Sequence, residues 1–379
     1  MTSELSSLCS YAKGKVSVDT LSKRNYVSTE NMMPNKGGIV DAGALPSAQY
    51  TQQYIKDDIL VSNIRPYFKK IWMADDDGGC SNDVLVFRAD RGCDSTFLYY
   101  ILANDAFFNY ASATSKGTKM PRGDKTAIMQ YTVPCFNYET QLRIGKLLRS
   151  IDDRIAVNKK INDNLQQQLF SLYENMATAS PCLKEYTLSN LCDFQEGYVN
   201  PPQTHPEYFD GEVKWLRAVD INESFIIETS RTLTKAGFES AKKSALLFEP
   251  NTIAISKSGT IGRLGIIADY MCGNRAVINI APHDTNMLAF IYCFLKSKQR
   301  EFPDMAVGSV QKNLYVSLLE PLSVSIPDNE SLTAFNAVGA SILGMIHNNC
   351  VENTDLANLR DTILPKLMSG EIDVSSVLL

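Results

Sequence analysis

The sequence predicts an α+β fold in which two homologous mixed α/β domains are separated by two long antiparallel helices that form a coiled coil, with a pseudo-twofold internal repeat. Three observations support this prediction. One short motif occurs twice, the same order of predicted strands and loops follows it each time, and each copy ends in a long amphipathic helix. With 379 residues, 44% of them hydrophobic, the chain is long enough to form two domains with separate cores.

The repeat begins with the segment "LSSLCSYAKGKV" at 5–16, which matches "LSNLCDFQEGYV" at 188–199. Further along, the segments 59–89 and 253–282 share one pattern: an apolar strand ending in serine, a polar or basic turn, a second strand, a glycine and a third strand. Each copy then continues through a short aromatic helix and a polar loop to a final short strand. Self-similarity of this kind indicates a duplicated module.

Each copy is followed by a segment whose apolar residues recur every three or four positions, as in a coiled-coil helix. The first seam is predicted at Ile144, Leu148, Ile151, Ile155, Asn158, Asn162, Leu165, Leu169, Leu172 and Met176. The second is predicted at Phe335, Val338, Ile342, Met345, Asn349, Glu352, Leu356, Leu359 and Ile363, with Pro365 ending the helix. Both seams contain polar residues near their middle. Because polar seam residues fix register, the helices are predicted to pair with each other. The alternative is that each helix only caps its own domain.

The predicted domains therefore span 1–140 and 179–329, with a central helix at 141–178 and a C-terminal helix and tail at 330–379. At about 1.5 Å per residue, the seam from 144 to 176 measures roughly 50 Å. That length corresponds to about 15 base pairs of duplex DNA. A helix of this length between two homologous domains is predicted to be a spacer that sets the distance between two binding sites.

Composition narrows the class of protein. The nine cysteines include no C-x-x-C pair, so neither a disulfide framework nor a zinc site is predicted. The N-terminus does not resemble a signal peptide, and the sequence contains no run of 18 apolar residues, so a cytoplasmic protein without a membrane segment is expected. The net charge of −5 argues against a protein that coats nucleic acid indiscriminately, although it allows local basic patches.

The sequence predicts no catalytic residues and no metal site. The three histidines, His205, His283 and His347, have no cysteine, aspartate or second histidine at ligand or triad spacing. The segment "NPPQ" at 200–203 resembles the loop with which adenine methyltransferases grip a flipped base, but it lacks the final aromatic residue. The segment "GTIGRLG" at 259–265 lacks the ending of a phosphate-binding loop and is interpreted as a turn between strands.

The loops of the repeat contain the side chains that neutralise phosphates and read base edges. Arginine and lysine recognise guanine, and asparagine and glutamine recognise adenine. The first copy provides Arg65, Lys69, Lys70, Lys116, Lys119, Arg122 and Lys125. The second copy provides Lys257, Arg263, Gln311, Lys312 and Asn313 at corresponding places. Because the two sets differ, the copies are predicted to read different sequences. The alternative is that these are ordinary polar surface loops.

These features together resemble the specificity (S) subunit of bacterial type I restriction-modification systems over essentially the whole chain. The resemblance rests on the helix "LLRSIDDRIAVNKKINDNL", the segments "SNIRPYFKKIW" and "TSKGTKMPRGDK" of the first copy, "SKSGTIGRLG" and "GSVQKNL" of the second, and the ending "LRDTILPKLMSGEIDV". It implies two target-recognition domains, each reading one half of an asymmetric, interrupted DNA site. It also implies a non-catalytic chain that binds two modification (methyltransferase) subunits, which use S-adenosylmethionine, and restriction subunits, which use ATP with Mg.

The resemblance also implies roles for particular residues. The loop residues of both copies are expected to contact double-stranded DNA, with Arg65 as the best base reader of the first copy and with Arg217 and Asn274 as further contacts in the second. The outward helix faces around Asp152, Arg154, Lys159 and Asp355 are expected to bind the methyltransferase subunits. The alternative for these four residues is that they are solvated helix charges. Two rival functions are a stand-alone DNA methyltransferase or nuclease and a two-domain coiled-coil scaffold that binds proteins.

Overall fold

The computed structural model describes residues 2–179, 184–309 and 311–375. By internal contacts the chain forms two compact units. The first unit comprises Met1–Arg154 with Leu356–Leu379, and the second comprises Ile155–Asp355. Each long helix is therefore shared between the units, whereas the sequence prediction set the helices apart as separate segments. The physical reason is that each half-helix contributes its apolar side to the core of the unit beside it.

The first unit contains short strands, three short α-helices and part of each long helix. Its strands are β1 (Thr2–Glu4), β2 (Cys9–Tyr11), β3 (Lys15–Ser17), β4 (Tyr26–Val27), β5 (Tyr50–Tyr54), β6 (Ile59–Ser62), β7 (Ile71–Met73), β8 (Gly78–Cys80), β9 (Val84–Ala89) and β10 (Thr132–Pro134). Its helices are α1 (Ser95–Ala103), α2 (Asp105–Ala113), α3 (Lys125–Met129) and the first part of α4 (Tyr138–Ala179). The Asp94 side chain accepts a hydrogen bond from the backbone N–H of Phe97 and so caps the start of α1.

Two four-stranded sheets organise the first unit, in the orders β2-β9-β6-β7 and β3-β5-β8-β4. Strands β6 and β9 pair antiparallel, with Leu60 opposite Val86. Because side chains alternate along a strand, Ile59 and Val61 enter one core with helices α1 and α2, while Leu60 enters a second core on the other face. Because both faces of these strands are buried, their sequences are almost continuously apolar.

The second unit repeats this plan. Its strands are β11 (Lys184–Thr187), β12 (Cys192–Glu196), β13 (Phe209–Leu216), β14 (Phe225–Ile226), β15 (Thr232–Leu233), β16 (Leu247–Phe248), β17 (Ile253–Ser256), β18 (Leu264–Ile267), β19 (Met271–Gly273), β20 (Val277–Pro282) and β21 (Ser323–Ile326). Its helices are α5 (Lys235–Glu239), α6 (Leu288–Lys298), α7 (Phe302–Met305), α8 (Val316–Leu319) and part of α9 (Asn329–Ser369). The order β12-β20-β17-β18 matches β2-β9-β6-β7, so the predicted internal repeat is confirmed.

The long helices α4 and α9 pair in antiparallel fashion inside each unit. In the second unit, Nδ2 of Asn158 lies 2.9 Å from Oε2 of Glu352, and Nδ2 of Asn349 lies 2.8 Å from Oδ1 of Asn162. In the first unit, Nη1 of Arg360 lies 2.6 Å from Oδ1 of Asp152. Residues nearer the C-terminus of α4 therefore pair with residues nearer the N-terminus of α9. The prediction of two paired antiparallel helices is therefore confirmed.

Two details of the predicted helices are wrong. The predicted seam residues Leu172, Val338, Met345 and Leu359 are exposed, and Tyr173, Leu343, Ile346, Leu364 and Leu367 are buried instead. The seam of α9 is shifted because its apolar residues lie on two neighbouring stripes, and the tertiary contacts select one of them. Pro365 does not end α9, which continues to Ser369. Pro365 and Asp361 are exposed, so the carbonyl group that loses its hydrogen bond can be hydrated.

The helix α9 ends instead at a glycine in the left-handed conformation. Gly370 has φ +78°, and the N–H of Glu371 donates to the carbonyl oxygen of Lys366 at 2.9 Å. This geometry is a common helix terminus that non-glycine residues rarely adopt. Among the helices of the described residues, none combines the length and the apolar character that crossing a bilayer requires.

Candidate nucleic-acid interface

Two basic loops lie side by side in the first unit and are here called the first loop pair. One loop, residues 62–70, joins β6 to β7, and the other, residues 114–124, joins α2 to α3. The N–H of Arg65 donates to the carbonyl oxygen of Pro121 at 2.8 Å. The loop 114–124 is closed by a reciprocal backbone pair between Lys116 and Arg122. The structure thus joins two stretches that the sequence analysis identified separately.

The second unit has the same arrangement, here called the second loop pair. It consists of residues 257–263, between β17 and β18, and of residues 306–309 and 311–315, between α7 and α8. The N–H of Leu314 donates to the carbonyl oxygen of Lys257 at 2.9 Å, and Val307 and Asn313 form a reciprocal backbone pair. The Val307–Asn313 pair corresponds to the Lys116–Arg122 pair, and the bond from Leu314 to Lys257 corresponds to the bond from the N–H of Gly123 to the carbonyl oxygen of Asn63, at 3.1 Å. The predicted correspondence of the loops is therefore a correspondence of structure as well.

Three basic residues of the first loop pair are ion-paired within the unit. Nζ of Lys69 lies 2.8 Å from Asp105, Nζ of Lys116 lies 2.5 Å from Asp124, and Nη2 of Arg122 lies 3.1 Å from Asp83. The hydrogen bond from Lys116, with backbone N–H groups, lowers the pKa of Asp124. Each of these ion pairs has one partner that is more than half exposed, and ion pairs in contact with solvent are weak. Phosphate oxygens can therefore replace these carboxylates at little cost.

The other basic residues of the first loop pair differ in their environment. Lys119, and Lys125 next to the loop pair at the start of α3, are exposed, and no described residue pairs with their ammonium groups. Lys70 is half-buried and donates from Nζ to the carbonyl oxygen of Thr29 at 2.6 Å, and burial lowers its pKa. The Lys70 ammonium group is thus bound to the backbone of its own unit, which the sequence did not indicate. Arg65 is half-buried, and its Nε atom is buried without a hydrogen-bond partner among the described residues.

In the second loop pair, the ammonium group of Lys257 has two partners within the unit. Its Nζ lies 2.8 Å from Oε1 of Glu196 and 4.7 Å from the ring centre of Tyr315. Gln311 and Lys312 are exposed, whereas Asn313 is half-buried and donates to the carbonyl oxygen of Gln311 at 3.1 Å. The half-buried Arg263 forms no side-chain ion pair with the described residues.

The two further residues predicted for the second copy, Arg217 and Asn274, lie outside the second loop pair. They are neighbours, because the N–H of Asn274 donates to the carbonyl oxygen of Leu216 at 2.9 Å. The Arg217 side chain donates to Ser230 and lies 5.6 Å from the ring centre of Trp215. The Asn274 side chain accepts from a backbone N–H two residues along. Both side chains are therefore engaged inside the unit.

Of the four residues predicted for the outward helix faces, one is placed differently. Asp152 is half-buried and accepts hydrogen bonds from Oη of Tyr100 and Nη1 of Arg360, both at 2.6 Å. Asp152 therefore joins α4 to α1 and α9 and does not lie on an outward face. The reason is that its position on α4 borders the apolar stripe, where the aromatic helix α1 packs. Arg154, Lys159 and Asp355 are exposed as predicted.

Sequence reasoning missed the carboxylates that partner the loop cations. Asp105 begins α2, Asp83 lies in the turn before β9 and Glu196 ends β12, and no local pattern in the sequence marks them. The histidines are placed in ordinary surroundings: His205 pairs with Glu207, and His283 lies 3.2 Å from Asp193, all at exposed positions. Among the described residues, no group of three or more metal-ligating side chains converges.

Most of the described cysteines are buried. The eight that the structure describes are unpaired, and Cys182 lies outside the described residues. Burial raises the pKa of Cys272 and of Cys293 to about 12, so both thiols stay protonated near neutral pH.

Comparisons with known proteins agree with this geometry. The model of the type I restriction modification DNA specificity domain matches residues 1–167 and 183–354, and each matched segment contains one loop pair. The type I restriction enzyme MjaIX specificity subunit of Methanocaldococcus jannaschii is 24% identical over 308 residues, which cover 76% of this chain and 71% of that protein. The HindI specificity subunit of Haemophilus influenzae is 27% identical over 176 residues, 45% of this chain and 38% of that protein.

A solved structure supports the fold. The type I restriction-modification S subunit from M. genitalium aligns with a TM-score of 0.56 and 19% identity, over 97% of this chain and 96% of that one. The family match and the curated relative from Methanocaldococcus jannaschii confirm the predicted role as a DNA specificity subunit. Matched over both of its repeats, the chain belongs to the type I restriction-modification DNA specificity family.

Proposed function

We propose that each unit reads one half of an asymmetric, interrupted DNA site through its loop pair. The observation that carries this proposal is the recurrence of one loop geometry with different side chains. Lys116 and Arg122 close the loop in the first unit, whereas Val307 and Asn313 close it in the second. A shared scaffold with different donors is what two different half-sites require.

The two loop pairs differ in the contacts they offer. The first provides mainly cations, including the exposed Lys119, and the exposed Lys125 follows it at the start of α3; neither lysine has a carboxylate partner among the described residues. The second provides the exposed Gln311 and Lys312 beside Asn313. Lysine and arginine bind phosphates and guanine, whereas glutamine and asparagine suit adenine. Because the net charge of the chain is −5, attraction to DNA has to arise locally at these loops.

The paired helices α4 and α9 are proposed to set the distance between the two half-sites and to bind the partner subunits. The exposed residues Arg154, Lys159 and Asp355 are proposed to contribute to a surface for two modification subunits. Those subunits would bind S-adenosylmethionine, and restriction subunits with ATP and Mg would join the same cytoplasmic complex. The present chain would supply recognition, and its partners would supply catalysis.

An exchange of one unit's recognition residues tests the proposal. Methylome sequencing of the host first identifies the interrupted adenine-methylated motif. Residues 1–140 are then replaced by the corresponding segment of another specificity subunit, and the motif is mapped again. The expected result is a change in one half-site only, with the other half-site and the spacing unchanged. A motif altered in both halves, or no sequence-specific methylation in the presence of the chain, would refute the proposed function.

A binding measurement complements the exchange. The purified complex is titrated with a duplex that carries the mapped motif and with a duplex of scrambled sequence, at several salt concentrations. The affinity for both duplexes is expected to fall steeply as salt rises, because loop cations displace counterions from phosphates. The preference for the mapped motif should persist. A protein-binding scaffold would show neither the preference nor the salt dependence.

A further inference from the structure

The turn that joins β6 to β7 has an unusual backbone. Arg65 has φ 50° and ψ 66°, and Lys69 has φ 51° and ψ 45°, so both residues adopt the left-handed conformation. Residues with a Cβ atom rarely do so, because Cβ comes too close to the following carbonyl oxygen. Between them, Pro66–Phe68 forms one turn of 3-10 helix. Two left-handed residues with long side chains therefore flank a very short segment.

The corresponding turn of the second unit also has two left-handed residues, but it is one residue shorter and differs in sequence. Gly259 has φ +77° and Gly262 has φ +85°. Gly259 follows Ser256 by three residues, as Arg65 follows Ser62, and Gly262 precedes β18 by the same interval by which Lys69 precedes β7. The second repeat thus has the residue that fits this conformation, whereas the first has arginine and lysine. Residues held in an unfavourable conformation tend to be found at functional sites.

The turn of the first unit presents two aromatic rings to solvent. Tyr67 is 52% exposed and Phe68 is 38% exposed, and their ring centres lie 4.9 Å apart. Two backbone hydrogen bonds from one neighbouring segment hold the turn: the N–H groups of Asn35 and Lys36 donate to the carbonyl oxygens of Phe68 and Lys69, both at 2.8 Å. The rings are therefore displayed by a fixed turn and are not the side chains of a loosely held loop.

Positive charge surrounds these rings. Nζ of Lys70 lies 5.9 Å from the ring centre of Phe68. Nζ of Lys36 and Nζ of Lys69 share a single carboxylate, that of Asp105, at 3.0 and 2.8 Å. Together with Arg65, these cations exceed the described carboxylates that contact the turn. Exposed aromatic rings among cations fit a ligand that has flat apolar faces and anionic groups side by side, and nucleic acid has both.

We propose that Tyr67 and Phe68 are direct base-contacting residues of the first unit. Their rings make apolar and stacking contacts with bases of its half-site, while the cations around them bind the adjacent phosphates. The corresponding turn of the second unit has Thr260 and Ile261 between its two left-handed glycines and no aromatic residue there, so the contact belongs to one half-site only. The inference rests on the proposed function, because it names contacts within the proposed interface.

The test uses the full-length chain in its purified complex with the modification subunits. The probe is a fluorescently labelled duplex that carries the methylated motif mapped in the host. Tyr67→Ala and Phe68→Ala are expected to weaken binding by roughly 5- to 150-fold each, the range found when an aromatic ring that stacks on a base is removed. Tyr67→Phe is expected to retain binding, because the ring face is kept. The matched control is Tyr270→Ala, which removes an exposed tyrosine (54%) between β18 and β19 of the second unit.

Base substitutions in the duplex then locate the contact. Each half-site is changed one base pair at a time, and binding is measured for the wild-type chain and for Tyr67→Ala. The expected result is that base changes in one half-site lower the affinity of the variant much less than they lower the affinity of the wild type. If each base change lowered the affinity of the variant and of the wild type equally, the proposal would be overturned. Unchanged affinity of both alanine variants would also overturn it. If the wild-type complex does not prefer the mapped motif at all, the proposed function itself fails.

Loss of a modification subunit from the complex is a distinct outcome. If gel filtration shows that the alanine variants release a modification subunit, the aromatic pair is a protein contact and the proposal is overturned. Thermal unfolding of each variant controls for folding. Tyr67→Ala is the more informative of the two substitutions, because Tyr67 is the more exposed ring and its removal is expected to leave the unfolding temperature unchanged.

Discussion

Asn349 donates a hydrogen bond from Nδ2 to Oδ1 of Asn162 at 2.8 Å, inside the seam where α4 and α9 meet. Asn162 is buried, and its own Nδ2 lies 3.5 Å from the carbonyl oxygen of Ile346. A buried amide that is satisfied only in one alignment of two helices penalises every other alignment. The pair therefore favours one register of the antiparallel helices.

Replacing one member of this amide pair tests its contribution. Asn162→Leu is expected to lower the free energy of unfolding by about 1–3 kcal/mol, because it leaves the amide of Asn349 without its acceptor. The double substitution Asn162→Leu with Asn349→Leu is expected to recover most of this loss, since two apolar side chains then face each other. Urea unfolding of the full-length chain measures both. Asn164→Leu, at an exposed position on the same helix, is the control. Additive losses in the double variant would show that the two amides act independently.

The left-handed positions of the two repeats give a matched pair of substitutions. Arg65→Gly is expected to raise the free energy of unfolding by about 1 kcal/mol, because it relieves an unfavourable backbone conformation and removes a buried Nε that lacks a partner. Gly259→Ala is expected to lower it by about 1–2 kcal/mol. A Cβ at Gly259 would meet no atom within 4 Å, so the conformation alone accounts for the loss. Thermal unfolding measures both changes. A destabilised Arg65→Gly variant would contradict this account.

The carboxylate shared by Lys36 and Lys69 makes stability depend on pH. Burial raises the pKa of Asp105, but hydrogen bonds from Lys69 and Lys36 outweigh it and leave the pKa below its usual value. The contribution of this group is therefore present above the unfolded-state pKa, about 3.9, and is lost as the pH falls through the lower folded-state pKa. Asp105→Asn is expected to cost less than about 1 kcal/mol at pH 7, because the side chain is half exposed.

The same variant should also lose stability less steeply than the wild type as the pH falls below about 4. Unfolding by urea between pH 3 and pH 7 measures this difference. Salt near 1 M provides a control, because screening is expected to shrink the difference between the variant and the wild type. Parallel stability curves for the two proteins would show that Asp105 is not linked to its lysines.

Much of the fold follows from patterns that act over short distances. Strands such as β6 and β17 are apolar up to a final serine because both of their faces are buried, and that serine precedes the turn that follows. The seam of α4 was predicted correctly over most of its length, because its apolar residues form one stripe. In α9, by contrast, Val338 and Met345 are apolar but exposed. Only tertiary contacts distinguish its two candidate stripes.

Gly339 illustrates what sequence patterns cannot show. A Cβ at this position would lie 2.6 Å from Cβ of Ala289, so α9 approaches α6 closely at a residue that has no apolar side chain. The candidate site also depends on contacts that no local pattern in the sequence indicates. The two basic loops of each unit were found in the sequence, but their joining through Arg65 and Pro121 depends on chain segments far apart. The carboxylates that neutralise Lys69 and Arg122 likewise come from distant elements.

The proposal that the helices set the spacing of the DNA site can be tested by lengthening both of them. Seven residues are inserted between Arg154 and Ile155 of α4, and seven between Leu356 and Ala357 of α9. The antiparallel pairing aligns these two points, so the bonds of Asp152 with Arg360 and of Asn158 with Glu352 keep their partners. Seven residues are close to two turns, so the apolar stripe stays in phase to within about 20°.

The longer helices are expected to lengthen the spacer of the methylated motif by about three base pairs, because seven residues add roughly 10 Å and a base pair occupies about 3.4 Å. Methylome sequencing of a host that expresses the variant measures the spacer. Both half-sites should stay unchanged, since neither loop pair is altered. Insertion into α4 alone is the control and is expected to abolish methylation, because it moves the seam of one helix past the other. An unchanged spacer in the doubly extended variant would show that the helices do not set the distance.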